Sequence, residues 1–199
     1  MNSKKSLIIL AAVLAAVIAI AGVAYGKLAE KAGVPDNITP AAEEKTEPAE
    51  DTDEIQKIKA MDFTVIDTEG NSVNLSEFEG KPVIINFWAT WCGYCQMEMP
   101  DFEEKFKEYG EEIHFLMLNV TDGNRETVDT AKEYISEAGY TFPVYFDTEL
   151  DAANTYGAYS LPMTIFIDAE GYGIAQATGM INSELLQKGI DMIYTSYER

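Results

Sequence analysis

The sequence is poor in basic residues, histidine and cysteine, and each shortage excludes a class of function. It has 14 basic against 34 acidic residues, a net charge of -20, so it is not suited to neutralising the phosphates of a nucleic acid. The single histidine, His114, and a single pair of cysteines fall short of the four ligands of a closed zinc site. We therefore expect no nucleic-acid partner, no metal and no separate cofactor.

The two cysteines that are present form the motif Cys92-Gly93-Tyr94-Cys95, within the stretch PVIINFWATWCGYCQMEMP at residues 82–100. A disulfide across so short a loop stabilises a fold by only about 2 kcal/mol on chain entropy. A domain with enough apolar residues for a full core does not need that staple. Two thiols one helical turn apart can instead close a disulfide and open it again, so a redox role is predicted.

The N-terminus carries a candidate membrane segment. Lys4 and Lys5 precede an unbroken apolar run at residues 7–24, which is long enough to span a bilayer. Lysines ahead of such a run keep the N-terminus in the cytoplasm and place the remainder outside. We expect residues 1–34 to be a cytoplasmic stub and a retained single-pass anchor. Ala24-Tyr25-Gly26 offers a cleavage site, so a secreted form is the alternative.

The composition changes abruptly at residues 35–57, where Pro, Ala, Thr and acidic residues dominate and aromatic residues are absent. Such a segment buries too little apolar surface to offset its ordering entropy. Its like charges favour an extended chain. We predict a mobile linker between the anchor and a folded domain.

Residues 58–199 are predicted to form one α/β domain. Apolar runs predict a buried strand at 82–87 and others at 113–120, 143–146, 163–167 and 173–178, with a hairpin near 63–75. Helices are predicted at 93–109, at 126–138 with Asp122 or Asn124 as cap, and at 183–197 with Ser183 as cap. This order of elements predicts a mixed sheet with helices on both faces.

The motif FWATWCGYC, followed by Pro100 five positions after the second cysteine, resembles the thioredoxin superfamily, and most closely its exported TlpA/ResA-like branch. The resemblance covers residues 58–199 and includes Glu98, the Phe142-Pro143 step and Leu161-Pro162. It implies a thioredoxin fold with an added N-terminal β-hairpin and a Cys92–Cys95 disulfide as the only redox group. The partners it implies are client proteins with disulfides and a membrane thiol donor of the CcdA type, and we expect a monomer.

The cysteines have separate roles in this interpretation. Cys92 precedes the helix, where the helix dipole and free N–H groups lower a thiol pKa, so Cys92 is the attacking nucleophile. Cys95 is the resolving thiol, which cleaves the mixed disulfide with the client. Gly93-Tyr94 places no cation between the sulfurs, which favours a reductase; a disulfide-forming oxidase is the alternative.

Glu98 is the candidate proton acceptor for Cys95, which it follows by three residues on one helix face. A buried carboxyl with a raised pKa can take a thiol proton. The alternative is an ordinary solvated glutamate. The resemblance favours the active-site role, because the TlpA/ResA-like branch uses a glutamate here. Thioredoxin itself uses a buried aspartate at the position of Asn86, which cannot titrate.

Three further residues are assigned by the resemblance. Pro162 is expected to be cis and to lie against the disulfide, with the backbone of Leu161 free to pair with a client; the alternative is a proline at the start of a strand. Trp91 is expected in the apolar rim around the mixed disulfide.

A thiol peroxidase is disfavoured because the Pro-x-x-x-Thr-x-x-Cys motif is absent, and the intact Cys pair argues against a non-enzymatic binding module.

Overall fold

A computed structural model describes residues 38–40 and 58–197, arranged as a mixed β-sheet with helices on both faces, as predicted. The strands in these ranges are β1 (Ile38–Pro40), β2 (Ile58–Lys59), β3 (Thr64–Ile66), β4 (Ser72–Asn74), β5 (Val83–Trp88), β6 (His114–Asn119), β7 (Val144–Phe146), β8 (Met163–Ile167) and β9 (Tyr172–Thr178). The helices are α1 (Gly93–Tyr109), α2 (Val128–Ala138), α3 (Asp151–Tyr156) and α4 (Ser183–Tyr197), with a 3-10 turn at Leu75–Phe78.

The strand order is β1-β9-β8-β5-β6-β7-β3-β4, and β2 also pairs with β9. The central strands β5, β6 and β7 are parallel, whereas β8 and β9 join the sheet antiparallel to their neighbours. Strands β3 and β4 pair antiparallel across the turn at residues 67–71. Every residue of β5 is buried, as expected for an apolar strand at the centre of a sheet covered on both faces.

Side chains alternate along β5 and supply two cores. Ile84 and Trp88 enter the core under α1, α2 and α4, and Phe87 enters the core that includes α3. Helix α4 packs directly on β8, so closely that a Cβ at Gly189 would overlap the ring of Phe166.

Three chain connections meet at one edge of this sheet. The parallel register pairs Trp88 with Asn119, so β5 and β6 end at the same edge. Strand β8 begins there as well, since Met163 pairs antiparallel with Phe87. The turn that carries Cys92 therefore lies beside the loop after β6 and the segment before β8, an arrangement typical of ligand and active sites in α/β sheets.

Two predicted helix caps are wrong. Helix α2 begins at Val128 rather than Glu126, and its cap is Thr127 instead of Asp122 or Asn124. The side chain of Asn182, ahead of α4, accepts from the N–H of Leu185, so Asn182 and not Ser183 occupies the cap position.

The predicted anchor at residues 7–24 lies outside the described residues, as does the predicted linker apart from 38–40, which pairs with β9 as β1. Among the described helices, none combines the length and apolar character needed to cross a membrane.

Candidate active site

The turn after β5 places Cys92 at the N-terminus of α1. The N–H of Cys92 donates to the carbonyl of Ala89 at 3.1 Å, which closes the turn. Cys92 then has extended backbone angles as the helix cap, and its Sγ accepts from the N–H of Cys95 at 3.2 Å. Its sulfur therefore lies at the positive end of the helix dipole, where a thiolate is stabilised.

Cys92 and Cys95 are joined in a disulfide, with an S–S distance of 2.07 Å. Cys92 is 6% exposed and Cys95 is fully buried. An incoming thiolate can reach only a sulfur that is accessible, and Cys92 is the more accessible of the two.

Glu98 is buried one turn further along α1, only 1% exposed. Its Oε1 accepts from Nδ2 of Asn86 at 2.8 Å, and its Oε2 accepts from the N–H of Ile181 at 2.9 Å. Burial raises the pKa of the Glu98 carboxyl to about 7, although both hydrogen bonds favour the charged form. The interpretation as a solvated glutamate is therefore wrong.

The peptide bond between Leu161 and Pro162 is cis. Pro162 immediately precedes β8, at the edge where β5 turns toward Cys92. The carbonyl of Pro162 accepts from the N–H of Gly179 at 2.9 Å. Because Ile181 donates to Glu98, the segment 179–181 connects this proline to the buried carboxyl. The side chain of Leu161 is half-buried against both cores.

Three large, exposed side chains lie within five residues of the disulfide cysteines in the chain. Trp91 is 42% exposed, and Tyr94 and Met97 on α1 are more exposed still. Trp88, by contrast, is completely buried in the core. Trp91 is exposed directly before Cys92 in the chain, and its place in an apolar rim stays a prediction.

Glu126 and Arg125 at this site were missed from the sequence, where Glu126 was assigned to the start of a helix. Glu126 is fully buried and accepts from the backbone N–H and the hydroxyl of Thr90. The guanidinium of Arg125 lies 3.8 Å from the centre of the Trp91 ring. No local signal in the sequence indicates this contact, because it depends on β5 and β6 being parallel neighbours that end at the same edge.

A bound metal ion needs several His, Cys, Asp or Glu side chains that converge on one point. Within the part of the chain that the structure describes, no group of three or more His, Cys, Asp or Glu residues could hold a metal ion. The chemistry that this arrangement can perform is exchange of a disulfide, with proton transfer to a carboxyl of near-neutral pKa.

Comparison with known proteins gives a consistent result. Residues 57–172 match the AhpC/TSA family. The chain is similar to the thiol-disulfide oxidoreductase ResA of Halalkalibacterium halodurans, 32% identical over 136 residues that cover 68% of this chain and 75% of that protein. ResA of Bacillus thuringiensis subsp. konkukian is 36% identical over 138 residues, covering 68% and 76%. The crystal structure of the pneumococcal exposed lipoprotein thioredoxin Etrx1 from Streptococcus pneumoniae superposes with a TM-score of 0.59 at 28% identity, over 66% of this chain and 98% of that one.

Proposed function

Because the chain belongs to the AhpC/TSA family and to the ResA-type thiol–disulfide oxidoreductases of the thioredoxin superfamily, we propose that it reduces disulfides in client proteins outside the cytoplasm. The observation that carries the proposal is the buried carboxyl of Glu98, three residues after Cys95 on α1, with a pKa of about 7. This group can accept and return one proton in each cycle at neutral pH.

The reaction transfers two electrons to the client. The thiolate of reduced Cys92 attacks one sulfur of the client disulfide, which breaks that bond, forms a mixed disulfide and releases a client thiolate. Glu98 takes the proton of Cys95, whose thiolate then attacks the sulfur of Cys92. The second client sulfur leaves, the Cys92–Cys95 disulfide is restored, and Glu98 returns its proton to a departing thiolate.

The surroundings of the sulfurs favour reduction over oxidation. Strong disulfide oxidants stabilise their thiolate, which makes the reduced form favourable. Here Gly93 and Tyr94 provide no cation between the cysteines, and an ionised Glu98 opposes a second negative charge on the buried Cys95. The first feature leaves the Cys92 thiolate without stabilisation beyond that of the helix N-terminus, and the second destabilises a thiolate at Cys95. The dithiol is therefore a better electron donor than that of a strong oxidant.

The proposed location and partners are supported by the sequence pattern and by the family. The apolar run at residues 7–24, with two lysines ahead of it, supports a membrane anchor with the catalytic domain outside. Disulfides persist in that compartment unless something reduces them. Electrons would then come from a membrane dithiol donor of the CcdA type and pass to a client such as an apocytochrome that must bind haem through free thiols, or an oxidised repair enzyme.

The reduction potential of the full-length protein at pH 7 tests the direction. We expect a value near that of thioredoxin, about -270 mV, from equilibration with dithiothreitol. A value near that of strong periplasmic oxidants, about -120 mV, would overturn the reductase proposal in favour of a disulfide-forming oxidase.

The Glu98→Gln variant tests the proton transfer. The pH titration of the Cys95 thiol, followed by thiolate absorbance, should move to lower pH in this variant because a neighbouring negative charge is lost. Unchanged thiol pKa values for both cysteines would show that Glu98 takes no part in the exchange.

A further inference from the structure

We propose that Arg125 and Glu126 are positioning residues for exchange at Cys92, because they hold Thr90 and Trp91, the two residues ahead of the nucleophile. The proposal deepens the function given above and rests on it, since it concerns the same sulfur. Neither residue belongs to the Cys92–Cys95 motif, and both come from the loop between β6 and α2.

The carboxylate of Glu126 binds Thr90 twice. Its Oε1 accepts from the backbone N–H of Thr90 at 3.0 Å, and its Oε2 accepts from the Thr90 hydroxyl at 2.6 Å. Asn119, at the end of β6, donates its amide to Oε1 at 2.7 Å. Hydrogen bonds to a carboxylate are short and strong, particularly when water is excluded, and Glu126 is fully buried.

The remainder of the turn is fixed from the helix side. The carbonyl of Thr90 accepts from the side-chain amide of Gln96 at 2.5 Å. The N–H of Cys92 donates to Ala89 at 3.1 Å. With Glu126 on the N–H of Thr90, the peptide groups on both sides of that residue have partners, and the path of the backbone into Cys92 is determined.

Arg125 holds the side chain of Trp91. Its guanidinium lies 3.8 Å from the ring centroid, and within residues 58–197 it makes no ion pair or side-chain hydrogen bond. A planar guanidinium stacks well on an aromatic face, which lysine does less well. This contact restrains a ring that is otherwise half-exposed beside the reactive sulfur.

The loop between β6 and α2 is held by hydrogen bonds of its own, so it can act as a support. Oδ1 of Asp122 accepts from the N–H groups of Asn124, Arg125 and Glu126, at 2.8, 2.7 and 2.9 Å. Gly123 closes the loop by donating to the carbonyl of Glu126 at 2.9 Å, with a φ of 72° that favours glycine. The backbone of Arg125 and Glu126 is therefore held by hydrogen bonds within the loop, independently of their contacts with the Cys92 turn.

Such support affects the rate because Cys92 is only 6% exposed. A client sulfur must approach along a narrow range of directions in line with the sulfur it attacks. A displacement of the reacting group by about 1 Å can cost about 100-fold in rate. We therefore expect Glu126 to affect the exchange step itself and Arg125 to affect chiefly the approach of large partners.

The test uses the full-length reduced protein and measures second-order rate constants with a small aromatic disulfide and with a disulfide-bonded peptide. Glu126→Gln should slow both reactions by about tenfold to 100-fold. Thr90→Val should reproduce much of this loss, and the double variant should add little to it, since the two residues act through one contact. The exposed Glu133→Gln is the matched control and should leave both rates unchanged.

Arg125→Gln should slow the peptide more than the small disulfide and increase acrylamide quenching of tryptophan fluorescence, because Trp91 is the accessible tryptophan. The Arg125→Lys variant should give a peptide rate and a quenching between those of the wild type and of Arg125→Gln, since lysine keeps the charge and loses the planar stacking face.

Rates within twofold of wild type for Glu126→Gln and Thr90→Val, in proteins that remain folded by urea titration, would overturn the proposal. An additive double variant, or quenching unchanged in Arg125→Gln, would count against it equally. The small-disulfide rates do not depend on clients or on the reduction potential. An oxidising potential would therefore reject the reductase function while leaving this outcome separately measurable.

Discussion

Glu98 and Glu126 are both buried, and both lie on or contact the segment that carries the disulfide, yet they are held in different ways. Glu98 follows Cys95 on α1 and accepts two hydrogen bonds, from an asparagine side chain and a backbone N–H. Glu126 lies in the loop after β6 and accepts three, two of them from Thr90 in the turn that leads to Cys92. Glu98 is therefore hydrogen-bonded to the sheet and to the segment before α4, and Glu126 to the turn that precedes Cys92.

This difference is the basis of the two proposed roles, proton transfer for Glu98 and positioning for Glu126. Burial raises the pKa of Glu98 to about 7, so this carboxyl can exchange a proton with a neighbouring thiol near neutral pH. The hydrogen bonds of Glu126 instead join its loop to Thr90, which lies 36 residues earlier in the chain and two residues before the nucleophile. Burial alone does not identify a carboxyl group that carries protons; the origin and the number of its hydrogen-bond donors matter as well.

The largest expected effect is a fall in stability with rising pH that depends on Glu98. Its pKa is raised from 4.5 to about 7 on folding. Its contribution is fully present below pH 4.5 and is lost as pH rises through 7, because the unfolded chain ionises this carboxyl first. The loss should amount to about 3 kcal/mol. Urea unfolding of the oxidised protein between pH 4.5 and 8, with Glu98→Gln in parallel, measures it.

The exposed Glu133→Gln variant is the control for that experiment and should keep the wild-type pH dependence. Other acids contribute to the slope, so the difference between wild type and Glu98→Gln is the relevant quantity. If Glu98→Gln shows the same slope as wild type, Glu98 does not titrate as a buried acid.

A second, smaller effect should come from the asparagine that serves each glutamate. Asn86 donates to Glu98 at 2.8 Å and Asn119 donates to Glu126 at 2.7 Å. Replacing either with Leu should cost about 2 kcal/mol, because a buried carboxyl group loses a hydrogen-bond donor. Urea titrations at pH 8 test this for both variants.

The two replacements should differ in the pH profile of exchange. The Asn86 amide lowers the pKa of Glu98, so Asn86→Leu should move the profile to higher pH. Asn119→Leu should lower the exchange rate at every pH without moving the pH profile. The same alkaline displacement in both variants would remove the distinction between the two acids.

The sequence predicted one of these acids and missed the other for a physical reason. Glu98 and Cys95 are three residues apart on one helix, so local spacing indicates their proximity. Glu126 reaches Thr90 only because β5 and β6 are parallel neighbours that end at the same edge. That register is a tertiary property, which one sequence does not specify, whereas the apolar runs and the order of the strands could be predicted from pattern alone.

The error at the start of α2 has the same kind of cause. Asp122, Asn124 and Thr127 are all good helix caps, and the sequence does not rank them. In the structure the carboxylate of Asp122 is occupied by three N–H groups of its own loop, which leaves Thr127 as the cap. The cis bond before Pro162 was expected only from the family resemblance, since spacing does not distinguish it.

The smallest expected effect is that of replacing Thr127, which directly follows Glu126. This replacement distinguishes the stability of helix α2 from the positioning of Cys92. Its hydroxyl accepts from the N–H of Thr130, so Thr127→Ala should cost about 1 kcal/mol in the free energy of unfolding. The exchange rate at Cys92 should stay within twofold of wild type, because Asp122 still holds the N–H of Glu126 and Thr90 still binds its carboxylate. Urea titration and the small-disulfide assay measure the two quantities on one sample. A tenfold loss of rate in this folded variant would mean that α2 as a whole supports the reactive turn, and Glu126 would then be one contact among many.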